Sequence, residues 1–312
     1  MEFFKKVFFW LQSWTIEPLA QHNYHAAGAH YQRKLSYLDS RSSKLPILIY
    51  QMGKVGSTTV EQSLKQADIN RRVYHIHYLT PEWLKTYDQK REQSYQLANK
   101  KQAKDVWTAQ YVAKLVKKPL RDGEKWQVIT LVRDPVARNL SSFFQHITME
   151  RLNSENMYIL KSDEYDFEVT IVDNNLDQLI ALFFERNRHN SPLAFFDREL
   201  KGVLNVDVFS SDFPIEQGYK IYKTDRVDVL LIRLENLNDC GPAALEEFLN
   251  IEKIALVKMN VGLEKNYSDA YQQFKNSIIL SEAYLDKMYN SKYSHHFYNQ
   301  AEIEQFREKW SR

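Results

Sequence analysis

Residues 47–59 read ILIYQMGKVGSTT, and this stretch decides the fold. The apolar run 46–50 has the length and the β-branched character of a buried strand. Two glycines, a lysine and three hydroxyl residues follow it, and residues 60–66, VEQSLKQ, have the pattern of a helix opening. A strand, a Gly/Lys/Ser/Thr turn and a helix N-terminus together predict a phosphate cradle, because backbone N–H groups and the positive end of the helix dipole face the anion.

The order of residues inside this turn differs from that of the nucleotide triphosphatases. Their loop reads G-x-x-x-x-G-K-[ST], whereas Lys54 here precedes Gly56, and the triphosphatase pattern occurs nowhere in the chain. A compact turn suits a shorter anion, such as a 5'-phosphosulfate. The alternative is an ordinary glycine-rich turn with a solvated lysine. If the turn is a cradle, the expected contacts are Gly53, Lys54, Val55, Gly56, Ser57, Thr58 and Thr59.

A second strand-to-helix junction lies at residues 126–144, WQVITLVRDPVARNLSSFF. Its first seven residues are strand-like, Asp134 suits a helix N-cap and Pro135 suits the first helical position. Arg133 is therefore expected at the carboxyl end of a strand, where open α/β sheets bind ligands, with Ser141 about two turns into the helix. An arginine there can bind a phosphate through two parallel hydrogen bonds. The alternative is an ordinary junction in which Arg133 pairs with a carboxylate.

Together the two motifs resemble the sulfotransferases that use 3'-phosphoadenosine 5'-phosphosulfate. In that family a Lys/Gly/Ser/Thr loop holds the 5'-phosphosulfate, and an R-D-P-x-x-R-x-x-S-x-[FY] segment holds the 3'-phosphate through its first arginine and its serine. The resemblance implies that Lys54 lies against the bridging oxygen, that Arg133 and Ser141 hold the 3'-phosphate, and that Arg138 also contacts this co-substrate. The family's proline before the lysine is Gly53 here. The implied fold is α/β, P-loop-like, with a mostly parallel sheet and helices on both faces.

Two segments nearer the C-terminus add to this resemblance. Residues 264–268, EKNYS, resemble the N-K-W-Y-S signature of a bacterial group of capsular polysaccharide synthesis proteins. On this resemblance Lys265 and Tyr267 are further candidates for contact with the co-substrate. Residues 297–310 resemble the C-terminal helix of bacterial and glycan-directed sulfotransferases.

Residues 72–79, RVYHIHYL, form a short strand that ends in a His-x-His pair. The two-residue period of a strand puts His75 and His77 on one face. The segment resembles the Y-H-x-H-x-x-Y-L stretch that supplies the catalytic base of uronyl 2-O-sulfotransferases, although the closing Tyr78-Leu79 falls two residues early. The resemblance implies His77 as the base, with His75 as its deputy. The alternatives are a strand histidine bonded to a backbone carbonyl and a metal ligand pair, for which no nearby Cys or His cluster completes the set.

Composition limits the other classes of function. The chain has 312 residues and a formal net charge of +2, which gives no strong nucleic-acid footprint. Its single cysteine, Cys240, excludes an intrachain disulfide and indicates a reducing compartment. No apolar run reaches the length of a membrane span. The aromatic segment 1–14 can form a helix at a membrane surface or a helix docked on the domain. We therefore expect a cytoplasmic or membrane-peripheral protein, and its oligomeric state is left open.

The domain organisation is expected to be simple. Residues 1–44 form a helical or irregular preface, and residues 45–312 form one sulfotransferase-like α/β domain. An insertion around 146–225, the least sheet-like part, is expected to shape the acceptor pocket. Predicted elements in the second half are helices at 176–188, 242–249 and 269–287 and a buried strand at 228–234.

The activity implied by the resemblance is transfer of a sulfuryl group from 3'-phosphoadenosine 5'-phosphosulfate to a hydroxyl of a glycan or capsular polysaccharide, without a metal. Two other classes are kept. One is a non-catalytic nucleotide-binding or assembly protein of a polysaccharide locus. The other is a phosphoryl-transfer enzyme with a degenerate loop, against which the missing triphosphate loop and magnesium carboxylate argue. The sequence does not identify the acceptor.

Overall fold

Helices and mostly parallel strands alternate along the chain. The computed structural model describes residues 23–67, 69–94, 100–151, 157–162, 167–172, 176–257 and 268–311. The strands are β1 (Ile47–Tyr50), β2 (Val73–Ile76), β3 (Trp126–Val132), β4 (Thr148–Arg151), β5 (Met157–Ser162), β6 (Phe167–Val172), β7 (Tyr219–Lys223) and β8 (Val227–Arg233). The helices are α1 (Tyr24–Asp39), α2 (Ser57–Gln66), α3 (Pro81–Ser94), α4 (Lys100–Leu115), α5 (Pro135–Gln145), α6 (Leu176–Arg186), α7 (Ser191–Phe195), α8 (Leu237–Leu249), α9 (Ser268–Ser277), α10 (Glu282–Tyr289), α11 (Lys292–Phe297) and α12 (Gln300–Ser311). A π-helical turn, Phe196–Lys201, follows α7 directly.

The central sheet has five strands in the order β2-β1-β3-β8-β7. All neighbouring pairs are parallel except β7 with β8. Nearly every residue of β1, β3 and β8 is buried, so both faces of the sheet are covered. The predicted α/β class with a mostly parallel sheet is thereby confirmed, whereas the P-loop-like sulfotransferase fold stays a prediction.

The chain changes the direction in which it adds strands at β1. It crosses from β1 to β2 on one side and then adds β3 on the other side, so that Ile47 has Val73 and Gln127 as its two neighbours. Such a reversal opens a crevice outside the carboxyl ends of the strands, which is where open α/β sheets bind ligands. The turn after β1 and Arg133 after β3 both lie at this crevice.

Three expectations about the second half of the chain were wrong. The predicted helix 269–287 is two helices, α9 and α10, because the Ser281 hydroxyl accepts a hydrogen bond from Tyr284 N and begins a new helix. The helix expected from residue 242 begins at Leu237, directly after a 3₁₀ turn, so Cys240 lies inside it rather than before it. The region expected to be least sheet-like contains the antiparallel strands β4, β5 and β6.

One carboxylate makes three of the contacts that hold the described part of the preface on the domain. Asp39, at the end of α1, accepts hydrogen bonds from Tyr74 and Tyr111 at 2.8 Å each and from Arg72 Nε at 2.9 Å. These contacts join α1 to β2 and α4. The aromatic segment 1–14 lies outside the described residues, and within those residues no helix is long and apolar enough to cross a membrane.

Gly56 has a left-handed backbone conformation, which residues with a side chain rarely adopt. Its φ is +84°, and a Cβ atom there would lie 2.4 Å from Leu234 Cδ1. Gly123 has a similar φ of +77° but has no heavy atom within 4 Å of a Cβ position. The two glycines therefore separate the cost of the backbone conformation from the cost of the contact.

We predict that Gly56→Ala destabilises the fold more than Gly123→Ala does. Each substitution costs roughly 1–2 kcal/mol for an L-residue in the left-handed region. Only Gly56→Ala also displaces Leu234, an overpacking effect of about 1–3 kcal/mol. Urea unfolding of both variants measures the difference. Equal losses in the free energy of unfolding would show that Leu234 yields without cost.

Candidate active site

The turn after β1 is built from left-handed residues. Gly53, Lys54 and Gly56 have φ values of +68°, +64° and +84°. Proline has a fixed φ near −65°, so the proline that the sulfotransferases carry at the position of Gly53 cannot adopt this path. A lysine in the left-handed region is uncommon and costs energy, and such strain is found at functional sites. The Gln51 side chain supports the turn by accepting a hydrogen bond from Gly53 N through Oε1.

Two arginines of the second motif hold the carbonyl groups of this turn. The buried Arg138 donates from Nη2 to Met52 O at 2.8 Å and from Nε to Gly53 O at 3.3 Å. Arg133 donates from Nη1 to Lys54 O at 3.0 Å. The two predicted motifs are therefore in contact, and three successive carbonyl groups of the turn accept hydrogen bonds from the arginines of the second motif. Arg138, expected to contact the co-substrate, is a positioning residue for the turn, and its contact with the co-substrate stays a prediction.

The start of α2 is free of side-chain capping. Its N-cap is Gly56, which has no side chain, and no capping hydrogen bond is made there. Uncapped N–H groups at a helix start, together with the helix dipole, attract anions. Thr58 and Thr59 are half-buried beside this end, whereas the Val55 side chain is fully buried in the core and offers only its backbone.

Arg133 belongs to a group of three cations. The pKa of Lys275, in α9, is lowered by burial and then by the positive charges of Lys309 and Arg133. Ser141 is half-buried in α5, and its hydroxyl has no hydrogen-bond partner within the described ranges. Like charges gathered in this way favour an anion between them. Sequence reasoning missed Lys275 and Lys309, because they lie on distant helices and belong to no short motif.

Asp134 occupies the helix N-cap that the sequence predicts. Its side chain accepts hydrogen bonds from Val136 N at 3.0 Å, Tyr289 at 2.8 Å and Trp310 Nε1 at 3.2 Å. Burial raises the pKa of this carboxyl group. The positive charge of Arg133 acts on this carboxyl group, but among the residues described Arg133 forms no ion pair within 4 Å and donates instead to Lys54 O.

His75 stands at the centre of a hydrogen-bonded chain. Its Nδ1 lies 2.8 Å from Glu61 Oε2, and its Nε2 lies 3.0 Å from both Ser57 Oγ and Gln51 Nε2. Because a carboxylate only accepts, Nδ1 carries the proton and Nε2 accepts from the hydroxyl or the amide. The hydrogen bond from His75, and then that from Lys65, lowers the pKa of Glu61 to about 2.

Sequence reasoning missed Glu61 and Gln51 as members of this chain. Glu61 is four residues after Ser57 on α2, and this spacing places both on one face of the helix. That spacing is the signal that could have found Glu61. Gln51 is completely buried and lies between the two histidines, with its amide nitrogen 3.0 Å from His75 Nε2 and 3.0 Å from His77 Nδ1. Such a buried bridge has no sequence signature.

His77 lies beside the turn, one residue after β2 ends. Its ring is 3.8 Å from the position of a Cβ on Gly53, and its centroid is 5.2 Å from that of His75. His77 Nδ1 lies 3.0 Å from both Gln51 O and the Gln51 amide nitrogen, and only one of these hydrogen bonds can form at a time. With the proton on Nδ1, the ring donates to the carbonyl and the lone pair is on Nε2. A histidine bonded to a backbone carbonyl is also what the purely structural role would require. The same hydrogen bond fixes the ring in an orientation that suits a base.

The imidazole of His77 is neutral at physiological pH. Desolvation by the surrounding protein and then the neighbouring His75 lower the pKa of His77 from 6.5 to about 4. His77 is an exposed residue, so water reaches the open side of its ring. A neutral ring with an accessible Nε2 can accept a proton.

Comparison with known proteins gives one family match. Residues 166–299 match the family model described as "Putative capsular polysaccharide synthesis protein", N-K-W-Y-S, over less than half of the chain. The match supports the capsular group that residues 264–268 resemble, although Lys265 and Tyr267 lie outside the described residues. Comparisons with curated proteins and with solved structures find no match.

We predict that Glu61→Gln weakens the acid dependence of stability. The pKa of Glu61 falls from 4.5 to about 2 on folding, so its carboxylate stabilises the fold fully above pH 4.5 and this contribution is lost as the pH falls towards 2. In urea unfolding, the wild type should have a larger free energy of unfolding than the variant at neutral pH. This difference should shrink as the pH falls below 4.5. Glu304→Gln, which changes an exposed carboxylate, should show no such trend. A constant gap for Glu61→Gln would contradict the His75 contact.

Proposed function

We propose that the protein transfers a sulfuryl group from 3'-phosphoadenosine 5'-phosphosulfate to a hydroxyl of a glycan in capsular polysaccharide synthesis. One observation carries this proposal. Arg133 links two groups of cations, since it donates to Lys54 O and its charge lowers the pKa of Lys275. A nucleotide with phosphate on both its 3' and 5' positions requires two such groups, one at each anion position.

The first position suits the phosphosulfate. Lys54, the uncapped start of α2 and the hydroxyls of Ser57, Thr58 and Thr59 offer a charge and hydrogen-bond donors within one short turn. As the bond from sulfur to the 5'-phosphate oxygen breaks, negative charge grows on that oxygen. Donors already fixed by the arginine contacts to the turn stabilise this charge without further reorganisation.

The second position suits the 3'-phosphate. Arg133 can fork onto phosphate oxygens, and Ser141 supplies a hydroxyl without another partner in the described part of the chain. Lys275 and Lys309 add charge that the sulfotransferase motif alone does not include. This set lies on a helix after β3 and on C-terminal helices, whereas a triphosphate would extend along a single loop.

His77 serves as the general base of the reaction. The acceptor hydroxyl oxygen attacks sulfur, its proton passes to Nε2 of His77, and adenosine 3',5'-bisphosphate leaves with the electron pair of the broken sulfur–oxygen bond. The Gln51 carbonyl holds Nδ1 and so fixes the ring orientation. His75 is bound to Ser57 and Glu61 and is better placed to order the turn than to meet an acceptor.

We predict that Arg133→Ala weakens binding of adenosine 3',5'-bisphosphate much more than binding of adenosine 5'-phosphate. The arginine reaches only the 3' group, and loss of a charge-assisted contact costs about 1.5–3 kcal/mol. Lys54→Ala should lower the affinity for both ligands. Lys275→Ala should lower mainly the affinity for the bisphosphate, as Arg133→Ala does, but by less. Calorimetric titration measures each, with Lys85→Ala on the exposed side of α3 as the control. Equal losses for both ligands in Arg133→Ala would remove it from the 3' position.

We predict that His77→Ala lowers turnover roughly a hundredfold to ten-thousandfold, the usual contribution of a general base. Affinity for adenosine 3',5'-bisphosphate should change little, because the base meets the acceptor and not the nucleotide. His295→Ala, at an exposed histidine of α11, is the matched control. Because the pKa of His77 is lowered from 6.5, the acid limb of kcat/KM should lie below pH 6.5.

Two results would count against this role for His77. Full turnover in His77→Ala would exclude it as the base. Absence of turnover in the wild type, with the nucleotide still bound, would favour the non-catalytic nucleotide-binding protein instead.

A further inference from the structure

A cleft of about 410 Å³ opens at Tyr78, the residue that follows His77. Its walls come from separate parts of the chain: Tyr78 after β2, Trp83 on α3, the connection between α6 and α7, Arg198 on the π-helical turn, and Lys287 on α10. No carboxylate is among the described residues that line it, whereas three of them are permanent cations, Arg188, Arg198 and Lys287. The cleft is therefore a positively charged space.

The cation on the π-helical turn is directed by a buried carboxylate. Arg198 Nε lies 3.4 Å from Glu199 Oε1. Glu199 is completely buried and also accepts hydrogen bonds from Tyr50, at 2.5 Å, and from Thr80 Oγ1, at 2.9 Å. Its charge is thus shared among several donors, and the two terminal nitrogens of Arg198 make no hydrogen bond to any other residue of the described part.

One wall of the cleft is aromatic. The rings of Tyr78 and Trp83 stack with centroids 4.1 Å apart and planes inclined by 27°. Trp83 also stacks on Tyr87, with centroids 3.4 Å apart and planes inclined by 14°, so both faces of its ring are covered and its edge is left for the cleft. The guanidinium of Arg198 lies 5.8 Å from the centroid of the Tyr78 ring. Aromatic side chains beside a few polar groups are the usual lining of a small-molecule site. Ser191, whose hydroxyl lies 3.4 Å from the Tyr78 hydroxyl, and two asparagines of the cleft supply such polar groups.

The cleft is joined to the candidate catalytic residues by short connections. Tyr78 directly follows His77, and Glu199 fixes the next residue by accepting from Leu79 N at 2.8 Å. On the opposite side Asn139, adjacent to Arg138, donates to the backbone oxygen of His189 at 3.0 Å. The same helix α5 therefore positions the turn after β1 and one wall of the cleft. The cleft therefore begins one residue after the proposed base.

We propose that this cleft binds the acceptor and that the acceptor is an acidic saccharide, one whose sugar rings carry carboxylates. The inference rests on the proposed function for the role of acceptor. A saccharide offers hydroxyls to the amide and hydroxyl groups of the cleft and C–H groups to the edges of the Tyr78 and Trp83 rings. Its carboxylates pair with guanidinium and ammonium groups, and such charge-assisted hydrogen bonds are about twice as strong as neutral ones. The cleft lies mainly within or beside residues 166–299, the part that resembles capsular polysaccharide synthesis proteins.

The experiment compares two forms of one saccharide on the full chain. The probes are a galacturonic acid trisaccharide and its methyl ester, which differ only in the charge of the carboxyl groups. Binding is followed by calorimetry and by tryptophan fluorescence, since Trp83 lines the cleft. We expect the acid to bind at least tenfold more tightly than the ester, and this preference to decrease with added salt. Arg198→Gln and Lys287→Ala should each reduce acid binding roughly tenfold and leave ester binding nearly unchanged.

A control variant and the nucleotide separate the outcomes. Lys292→Ala removes an exposed lysine outside the cleft, paired with Asp197 at 3.4 Å, and should change nothing. Binding of adenosine 3',5'-bisphosphate should be unaffected in all three variants. If wild type binds the bisphosphate but does not prefer acid over ester, the acidic-saccharide inference is overturned and the proposed function stands. If it prefers the acid but does not bind the bisphosphate, the cleft assignment stands as a saccharide site and sulfuryl transfer fails. Tighter binding of a neutral or a phosphorylated trisaccharide would also overturn the inference.

Discussion

The arrangement of the site depends on the contact between the arginines that follow β3 and the carbonyls that follow β1. Arg138 holds Met52 O and Gly53 O, and Arg133 holds Lys54 O. With these carbonyls fixed, the turn takes its left-handed path, α2 begins without a cap, and Lys54 is presented at the crevice of the sheet. Since Arg138 is buried, loss of its partners would leave a charge without compensation, which is costly. The two motifs are thus one physical unit, although Lys54 and Arg133 are 79 positions apart in the chain.

Electrostatics divides the crevice into regions with different tasks. Arg133, Lys275 and Lys309 form one group of cations, and the cleft at Tyr78 is lined by a second group. Desolvation and the neighbouring His75 lower the pKa of His77. In the proposed reaction a neutral His77 takes the acceptor proton without attracting either anion. Glu61 supplies the local negative charge, and it acts on His75 rather than on the open side of the site.

Local sequence signals predicted the parts of the site that are local in the chain. The strand before the turn, the Asp134 cap and the start of α5 each depend on a few adjacent residues, and all three are confirmed. The missed residues depend on contacts between distant segments: Gln51 bridges two histidines, Lys275 meets Arg133 through tertiary packing, and Arg198 reaches the cleft from a π-helical turn. The antiparallel strands β4 to β6 were missed because pattern reasoning followed the order of the central sheet. Gly53 shows how the structure explains a departure from a family pattern, since its φ of +68° excludes proline.

The central claim is that the crevice binds a nucleotide with separate 3' and 5' anions rather than a triphosphate. The most direct measurement is a calorimetric competition on the wild-type protein between adenosine 3',5'-bisphosphate and adenosine triphosphate, with magnesium present and with magnesium chelated. The account predicts tight binding of the bisphosphate in both conditions and weak binding of the triphosphate. Preferential, magnesium-dependent binding of the triphosphate would contradict it, because that pattern requires a triphosphate loop with a metal-binding hydroxyl.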